Sequence, residues 1–369
     1  PARTRLLGEI MTKLGPHILG NSSQAAQWLR AGAPVVKLVG NFGLAPEAAT
    51  LPHRPIVIGR WVETYFDPNR LISRNPIDEA RAYVNTYLDS HIRLNPGVSH
   101  WEGPNECIIT DLPAMRWYAL FLREFARVMR ESYNKTAVIG NWSVGNPDYP
   151  MWIEYGPALE AVRLYGAVLG RHNYAGPDQS TWGYLLLRHR IDNDMFSAMG
   201  FPDLPVIITE CGADGVPFGN PPGQSWKDLY GDSPEGAERY CREILLPLDN
   251  ELQRDSYVIG ATVFTSGDLW PRHNIEGRVG EILIADTMAA DFPPPEPQDG
   301  ATHTVTAGLL NVRLFPWAGD VMPPFIDQLV FGERVHVYGT YRDNDMLFGW
   351  ACVSPDGDRW VSIRYLAEV

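Results

Sequence analysis

Short apolar runs rich in β-branched residues alternate along most of the chain with longer segments that carry helix signals. The short runs have the length and composition of strands. Eight of them precede residue 290, at residues 6–10, 34–39, 55–59, 98–101, 136–139, 167–170, 205–209 and 257–264. Eight strands, each followed by a helix, predict an α/β fold in which a parallel sheet closes into a (β/α)8 TIM barrel.

The segments between these runs show where helices begin. Asn75, Asp111 and Ser233 each precede a proline closely, which is typical of a capped first turn. One segment has apolar residues at three- and four-residue steps, which predicts a helix with a buried face: Met115, Tyr118, Leu122, Phe125 and Met129. Residues 11–20 lack the GxGxxG turn that a doubly wound sheet usually places after its first strand, which favours the barrel.

The pattern changes near residue 290. Residues 291–304 are rich in proline and predict a semi-rigid linker. Beyond it, residues 305–369 contain short strands with turn signals, at 310–313, 334–338, 349–353 and 360–363, which predict a small all-β barrel domain. We therefore expect a catalytic barrel over 1–290, a linker over 291–304 and a β domain over 305–369.

Composition narrows the classes of partner. The 369 residues include 31 basic and 44 acidic side chains, for a formal charge of −13, which opposes binding to nucleic acid or to an anionic membrane. No apolar run approaches the roughly 18 residues of a membrane span. The four cysteines show neither CxxC pairing nor the spacing of a metal site. A neutral substrate is therefore expected.

Two carboxylates follow predicted barrel strands at the end where TIM barrels carry their active sites. Glu106 follows the fourth strand in the segment 101–106, and Glu210 ends the seventh. Cleavage of a glycosidic bond needs one carboxyl that lends a proton and one that stays ionised. Strands four and seven can bring these two across the barrel mouth to about 5 Å, the separation expected for retention of configuration.

An Asn-Glu pair after strand four and a Glu after strand seven resemble the signature of the clan A glycoside hydrolases. The resemblance implies that Asn105 binds the substrate 2-hydroxyl, that Glu106 is the acid/base and that Glu210 is the nucleophile of a retaining mechanism. It also implies a tyrosine after strand six that donates a hydrogen bond to the nucleophile. Tyr174 is the candidate, and His172 is the alternative.

The chain departs from that clan at strand two. Much of the clan has an arginine at the end of this strand, whereas this chain has Lys37 inside it and Asn41 after it. Arg60, at the end of strand three, is the expected replacement, because an adjacent cation lowers the pKa of a carboxylate. An exposed salt bridge explains Arg60 equally well.

Tryptophans are concentrated where the barrel mouth is expected, at positions 61, 101, 142, 182, 226 and 270. Sugar rings stack on such side chains, although any single tryptophan can instead cap a hydrophobic core. Trp142 and Trp270 are the predicted platforms. A cleft with several such platforms predicts cleavage within a polymer chain.

The segment after the linker resembles a bacterial Src-homology-3-like domain, through residues 310–313, 332–335, 349–350 and 360–362. Such modules commonly attach extracellular enzymes to cell walls. The resemblance therefore implies a secreted or cell-surface protein with a possible cell-wall partner. Pro1 in place of an initial methionine is expected if a secretion signal has been removed, or if the chain was cut there for another reason.

We therefore predict a retaining, endo-acting glycoside hydrolase that cleaves β-glycosidic bonds of a polysaccharide without a cofactor or metal. A metal-dependent barrel hydrolase is the first alternative, but the candidate histidines lack HxH or HExxH spacing: His17, His53, His100 and His172. An inactive carbohydrate- or cell-wall-binding barrel is the second. The presence of both Glu106 and Glu210 counts against it.

Overall fold

A computed structural model of the protein describes residues 12–20, 22–62, 66–214 and 224–290, together with short strands and a few adjoining residues between 302 and 368. Eight parallel strands in sequence order form a closed barrel, which confirms the predicted architecture. The strands are β1 Leu14–Leu19, β2 Val35–Val39, β3 Ile56–Arg60, β4 His100–Glu102, β5 Thr136–Trp142, β6 Val168–Ala175, β7 Val206–Ala213 and β8 Val258–Ser266.

Helices connect the strands and surround the barrel. Two connections contain a π-helical turn, Val84–Leu88 between α4 and α5 and Cys241–Leu245 between α10 and α11. The helices are α1 Ser23–Arg30, α2 Ala45–Ala48, α3 Pro68–Leu71, α4 Pro76–Tyr83, α5 Asp89–Leu94, α6 Leu112–Tyr133, α7 Gly156–Tyr165, α8 Arg188–Ala198, α9 Trp226–Tyr230, α10 Pro234–Tyr240, α11 Leu246–Arg254 and α12 Arg278–Ala290. Among the described residues, no helix is both long and apolar enough to cross a membrane.

The predicted cap signals and the predicted buried face appear where expected. Asn75, Asp111 and Ser233 each accept a backbone N–H in the first turn of α4, α6 and α10. All five residues of the apolar stripe on α6 are fully buried. Phe125 of this helix lies against Gly103, in the segment that leads from β4 to Glu106, where an added Cβ would come within 3.3 Å of its ring. The helix therefore packs against the segment that leads to Glu106.

The first barrel strand is β1, and the prediction of a strand at residues 6–10 as the first one was wrong. Residues 6–10 lie outside the described residues. The actual strand contains Gly15 and Pro16, which usually indicate a turn. Gly15 is needed here, because a Cβ at this position would lie 1.8 Å from the Val35 carbonyl oxygen. The pairing of β1 with β8 shifts register just after it, between Pro16 and Ile18.

The barrel interior changes from apolar to charged toward the carboxyl ends of the strands. Farther from the carboxyl ends, a buried apolar cluster joins five strands: Val35, Ile58, Val138, Val168 and Ile207. Side chains two positions apart share a face of a strand. Lys37 follows Val35 on β2 and Arg60 follows Ile58 on β3 at this spacing, so the strands present charged groups one layer above the apolar cluster.

Short strands beyond the barrel form two antiparallel sheets. Four of them overlap the predicted strands of the terminal segment, and β9 falls at the end of the predicted linker. A small cluster is buried among them: Leu329, Val335, Val337, Ala351 and Val361. The sheets have the orders β11-β10-β15-β14-β13 and β12-β9-β16. The strands are β9 Thr302–Val305, β10 Leu309–Arg313, β11 Phe325–Val330, β12 Arg334–His336, β13 Gly339–Tyr341, β14 Trp350–Cys352, β15 Trp360–Ser362 and β16 Leu366–Glu368.

Candidate active site

Glu106 lies four residues after the end of β4 and has an unusual backbone conformation. Its φ is +48°, in the left-handed region that few non-glycine residues adopt. Its N–H donates to the Asn141 carbonyl oxygen at 3.0 Å, which ties the segment to β5. The Glu106 side chain is 40% exposed, and the preceding Asn105 is half-buried. A backbone held in this region often marks a functional residue.

Glu210 lies on β7, where an extra residue changes the direction of the side chains. Arg171 pairs with Ile208, but the next residue, His172, pairs with Glu210, so Thr209 has no counterpart on β6. Such bulges change the direction of side chains beside active sites. The Glu210 side chain is 10% exposed, against 40% for Glu106.

The structure brings the two predicted carboxylates together across the barrel mouth. One carboxylate oxygen of Glu106, one of Glu210 and a ring nitrogen of His172 all lie within 4.8 Å of one another. His172 Nδ1 is 2.7 Å from Glu106 Oε1 and 3.6 Å from Glu210 Oε2. The buried imidazole therefore lies between the two acids.

Glu210 is surrounded by groups that favour its ionised form. Lys37 Nζ donates to Oε1 at 2.9 Å, and Arg60 Nη1 lies 3.6 Å from the same oxygen. The Tyr174 hydroxyl donates to Oε2 at 2.9 Å. Tyr174, predicted for this contact, therefore makes it, and His172 lies mainly against Glu106. Among the described residues, the salt-bridge partner of Glu106 is His172 alone.

These contacts determine the charge of the Glu210 carboxyl. Burial by itself would raise its pKa, but electrostatic interactions with His172, Lys37, His17 and Arg60 hold the pKa of Glu210 well below its ordinary value. Burial, with the nearby Glu210 carboxylate, raises the pKa of Tyr174 well above its ordinary range. Tyr174 is therefore a neutral donor to an ionised carboxylate.

Lys37 has a second carboxylate partner that the sequence analysis missed. Glu102, the last residue of β4, is buried, and its Oε2 is 3.1 Å from Lys37 Nζ. A lysine in the middle of the apolar strand Val35–Val39 was the available signal, because a buried cation requires a partner. Lys37, treated only as a departure from the clan pattern, is the nearest cation to Glu210, and Arg60 is the second.

The structure corrects the prediction that Trp142 is a sugar platform. Trp142 is only 2% exposed, and its ring meets those of Tyr118, Trp152 and Tyr155 edge-on, so it belongs to the packing behind β5. Three other tryptophans predicted at the mouth are also buried: Trp101, Trp182 and Trp226. Aromatic residues after strands pack on the outside of the barrel as readily as they line its mouth.

Aromatic surface remains accessible beside β8. Trp270, the other predicted platform, is 52% exposed. Phe264, which the sequence analysis missed, is half-buried and contacts the rings of Trp270, Tyr174 and His17 at centroid distances of 5.7, 6.2 and 4.9 Å. Phe264 thus connects the exposed Trp270 to the tyrosine that contacts Glu210.

Glu106, His172 and Glu210 also have the donor atoms of a metal-binding group. Lys37 already donates to Glu210, and Arg60 adds a second positive charge. Both oppose another cation at that carboxylate. The charges at the site therefore fit a metal ion poorly and suit proton transfer and nucleophilic attack.

The chain is similar in fold to several solved glycoside hydrolase structures. One is a GH128 (subgroup I) endo-β-1,3-glucanase from Amycolatopsis mediterranei in complex with laminaritriose, at 12% identity and a TM-score of 0.43, over 74% of this chain and 99% of that chain. Another is an endo-β-1,4-mannanase from Thermotoga petrophila, at 10% identity and a TM-score of 0.44, over 81% and 80%.

A third is a family 39 glycoside hydrolase from Bacteroides cellulosilyticus WH2, at 13% identity and a TM-score of 0.46, over 95% of this chain and 72% of that chain. No family model matches the chain, and no curated protein matches it. The geometry of the site is therefore the basis for the function.

The lowered pKa of Glu210 predicts how acid affects stability. An unfolded glutamate has a pKa of about 4.3, so the carboxylate stabilises the folded state above that pH, and this stability is lost as the pH falls toward the lower folded pKa. We expect the free energy of unfolding of the wild type to fall relative to that of Glu210→Gln as the pH decreases below about 4.3.

Urea unfolding between neutral and acid pH measures this difference. Glu160→Gln is the control, because Glu160 forms an exposed ion pair on α7 that contributes little. A difference that changed in favour of the wild type on acidification would contradict the assignment of an ionised Glu210.

Proposed function

We propose that this protein is a retaining glycoside hydrolase that cleaves β-glycosidic bonds within a polysaccharide. The observation that supports this function is a pair of carboxylates whose oxygens approach within 4.8 Å and whose environments differ. Carboxyl groups of retaining glycosidases lie about 5–5.5 Å apart, whereas those of inverting enzymes are separated by roughly 6.5–9.5 Å to admit a water molecule. The short separation favours retention.

The unlike environments assign the two roles. Glu210 is held ionised by Lys37 and Arg60 and acts as the nucleophile on the anomeric carbon. Glu106 is more exposed and faces His172 rather than a lysine or arginine, so it donates a proton to the leaving oxygen. In the second step Glu106 takes a proton from water, which attacks the anomeric carbon and releases Glu210.

Other side chains at the site orient these two groups and the sugar. Tyr174 fixes Glu210 Oε2, and His172 holds Glu106 Oε1. Asn105 precedes the acid/base, and we assign it the sugar 2-hydroxyl. Trp270, with Phe264 beside it, supplies apolar surface on which sugar rings stack. Trp270 offers an exposed aromatic surface in addition to the two catalytic carboxylates. Such a surface supports a cleft that holds several sugars, and therefore endo-type cleavage.

Replacement of the nucleophile should abolish turnover. Glu210→Gln is nearly isosteric but cannot attack the anomeric carbon, so we expect activity to fall on the order of 10⁴- to 10⁶-fold. Reducing ends released from β-glucans, mannans, xylans, galactans and bacterial exopolysaccharides measure this loss, and product lengths show whether cleavage is internal.

Glu124→Gln is the matched control, because Glu124 is a buried, ion-paired carboxylate on the outer helix α6. It should retain turnover. Near wild-type activity in Glu210→Gln would refute the nucleophile assignment.

Removal of the acid/base should depend on the leaving group. Glu106→Ala should lose about 10²- to 10⁴-fold in kcat/KM on a natural linkage, and much less on a dinitrophenyl glycoside, whose leaving group needs no proton. Azide should accelerate that variant and give a β-glycosyl azide, detected by mass spectrometry and proton NMR. Absence of an azide product while the dinitrophenyl glycoside is turned over would contradict the role of Glu106.

We further propose that the strands after the barrel form a small Src-homology-3-like module that attaches a secreted enzyme to a cell wall. The support is the buried cluster that includes Leu329, Val335 and Val361 among short antiparallel strands. A chain ending near Asp291 should keep its rate on a soluble oligosaccharide and lose binding and rate on an insoluble wall substrate. A large drop in thermal midpoint and in both rates would contradict an independent module.

A further inference from the structure

A buried chain of three charges crosses the barrel interior from Glu102 through Lys37 to the candidate nucleophile Glu210. Lys37 Nζ on β2 lies 2.9 Å from Glu210 Oε1 on β7 and 3.1 Å from Glu102 Oε2 on β4. The side chains of Lys37 and Glu102 are 0% exposed. Because removal of an ion from water is costly, a buried ammonium needs a carboxylate partner at all times.

Glu210 cannot be that partner throughout the proposed reaction. In the first step a Glu210 oxygen forms a bond to the anomeric carbon, and the bond from that carbon to the leaving oxygen breaks. The leaving oxygen keeps the electron pair and takes the proton of Glu106. The negative charge thereby leaves Glu210, now a neutral ester, and appears on Glu106, which contacts His172 rather than Lys37.

Lys37 and the three charged groups beside it show what this change requires. In the free enzyme the two cations, Lys37 and Arg60, face the two carboxylates, Glu102 and Glu210. In the ester, Glu102 is the remaining carboxylate of this group. Water cannot replace the lost carboxylate as a partner of Lys37, since the Lys37 side chain is fully buried.

We propose that Glu102 is a positioning residue that keeps Lys37 paired while Glu210 is esterified, and thereby stabilises the covalent intermediate. This inference rests on the proposed retaining function. It explains why the lysine beside the nucleophile has a second carboxylate, which ionisation of Glu210 alone does not require. Without Glu102, Lys37 would be paired in the free enzyme and unpaired in the intermediate.

The two half-reactions separate this role from a structural one. Glu102→Gln should slow formation of the intermediate and accelerate its hydrolysis, because the variant destabilises the intermediate relative to the free enzyme. The ratio of the two rate constants should fall about tenfold to a hundredfold. A variant that merely misplaced Glu210 would slow both steps.

The probes are 2-deoxy-2-fluoro-β-glycosyl fluorides of the gluco, manno, galacto and xylo series. Mass spectrometry of the intact protein follows formation of the adduct, and its loss after removal of the probe measures hydrolysis. Glu102→Asp retains the charge and should largely restore the ratio. Glu124→Gln is the control for loss of a buried, ion-paired carboxylate elsewhere and should leave both rates unchanged.

The Lys37→Met background provides the second measurement, and this measurement does not require Glu102→Gln alone to fold. In Lys37→Met there is no ammonium to pair, so adding Glu102→Gln should leave the ratio unchanged. A ratio that changed in this background would overturn the inference, as would equal slowing of both steps by Glu102→Gln.

The outcomes distinguish this inference from the function on which it rests. An adduct on the wild-type protein together with an unchanged ratio in Glu102→Gln overturns only the role of Glu102. Absence of an adduct on the wild-type protein with every probe counts against the retaining mechanism and removes the basis of the inference with it.

Discussion

The contact between the Lys37 ammonium and the Glu210 carboxylate, at 2.9 Å inside the barrel, is the interaction on which the site depends. Together with the neighbouring His172 and Arg60, it keeps one carboxyl ionised in a place where burial alone would favour its protonated form. The neutral Tyr174 hydroxyl completes the environment of Glu210 from β6. A second carboxyl at the more exposed Glu106 can then have the opposite role, which is the division that acid-assisted nucleophilic substitution requires.

The barrel makes this contact possible because it brings residues that are distant in sequence into the same layer of its interior. Lys37 and Glu210 lie on strands that are far apart in the chain and face each other across the interior. Two local irregularities then adjust the geometry: the extra residue Thr209 in β7 and the left-handed backbone of Glu106. The apolar cluster below, from Val35 to Ile207, supports the charged layer on packed side chains.

The sequence predicted the parts of this arrangement that depend on local patterns. Seven of the eight strands and the buried face of α6 follow from apolar runs and periodicity, and the two carboxylates follow from their places at strand ends. The first strand was missed because Gly15 and Pro16 resemble a turn, whereas Gly15 is required by the close approach of Val35 on the neighbouring strand β2.

The remaining differences have the same physical origin. Trp142 was predicted at the mouth, but whether a residue after a strand points inward or into the surrounding helices depends on a register that one sequence does not provide. The partnership of Lys37 with Glu102 depends on the pairing of β2, β3 and β4 in space. Ion pairs across a barrel have no signature in sequence spacing, whereas a charged residue inside an apolar strand at least indicates that a partner exists.

The most direct test of the central claim is the anomeric configuration of the first product released from a β-linked oligosaccharide, followed by proton NMR before mutarotation. The short distance between Glu106 and Glu210 predicts that the β-anomer appears first, because two displacements at the anomeric carbon restore its configuration. Initial release of the α-anomer would show a single displacement by water and would contradict the assignment of Glu210 as a nucleophile.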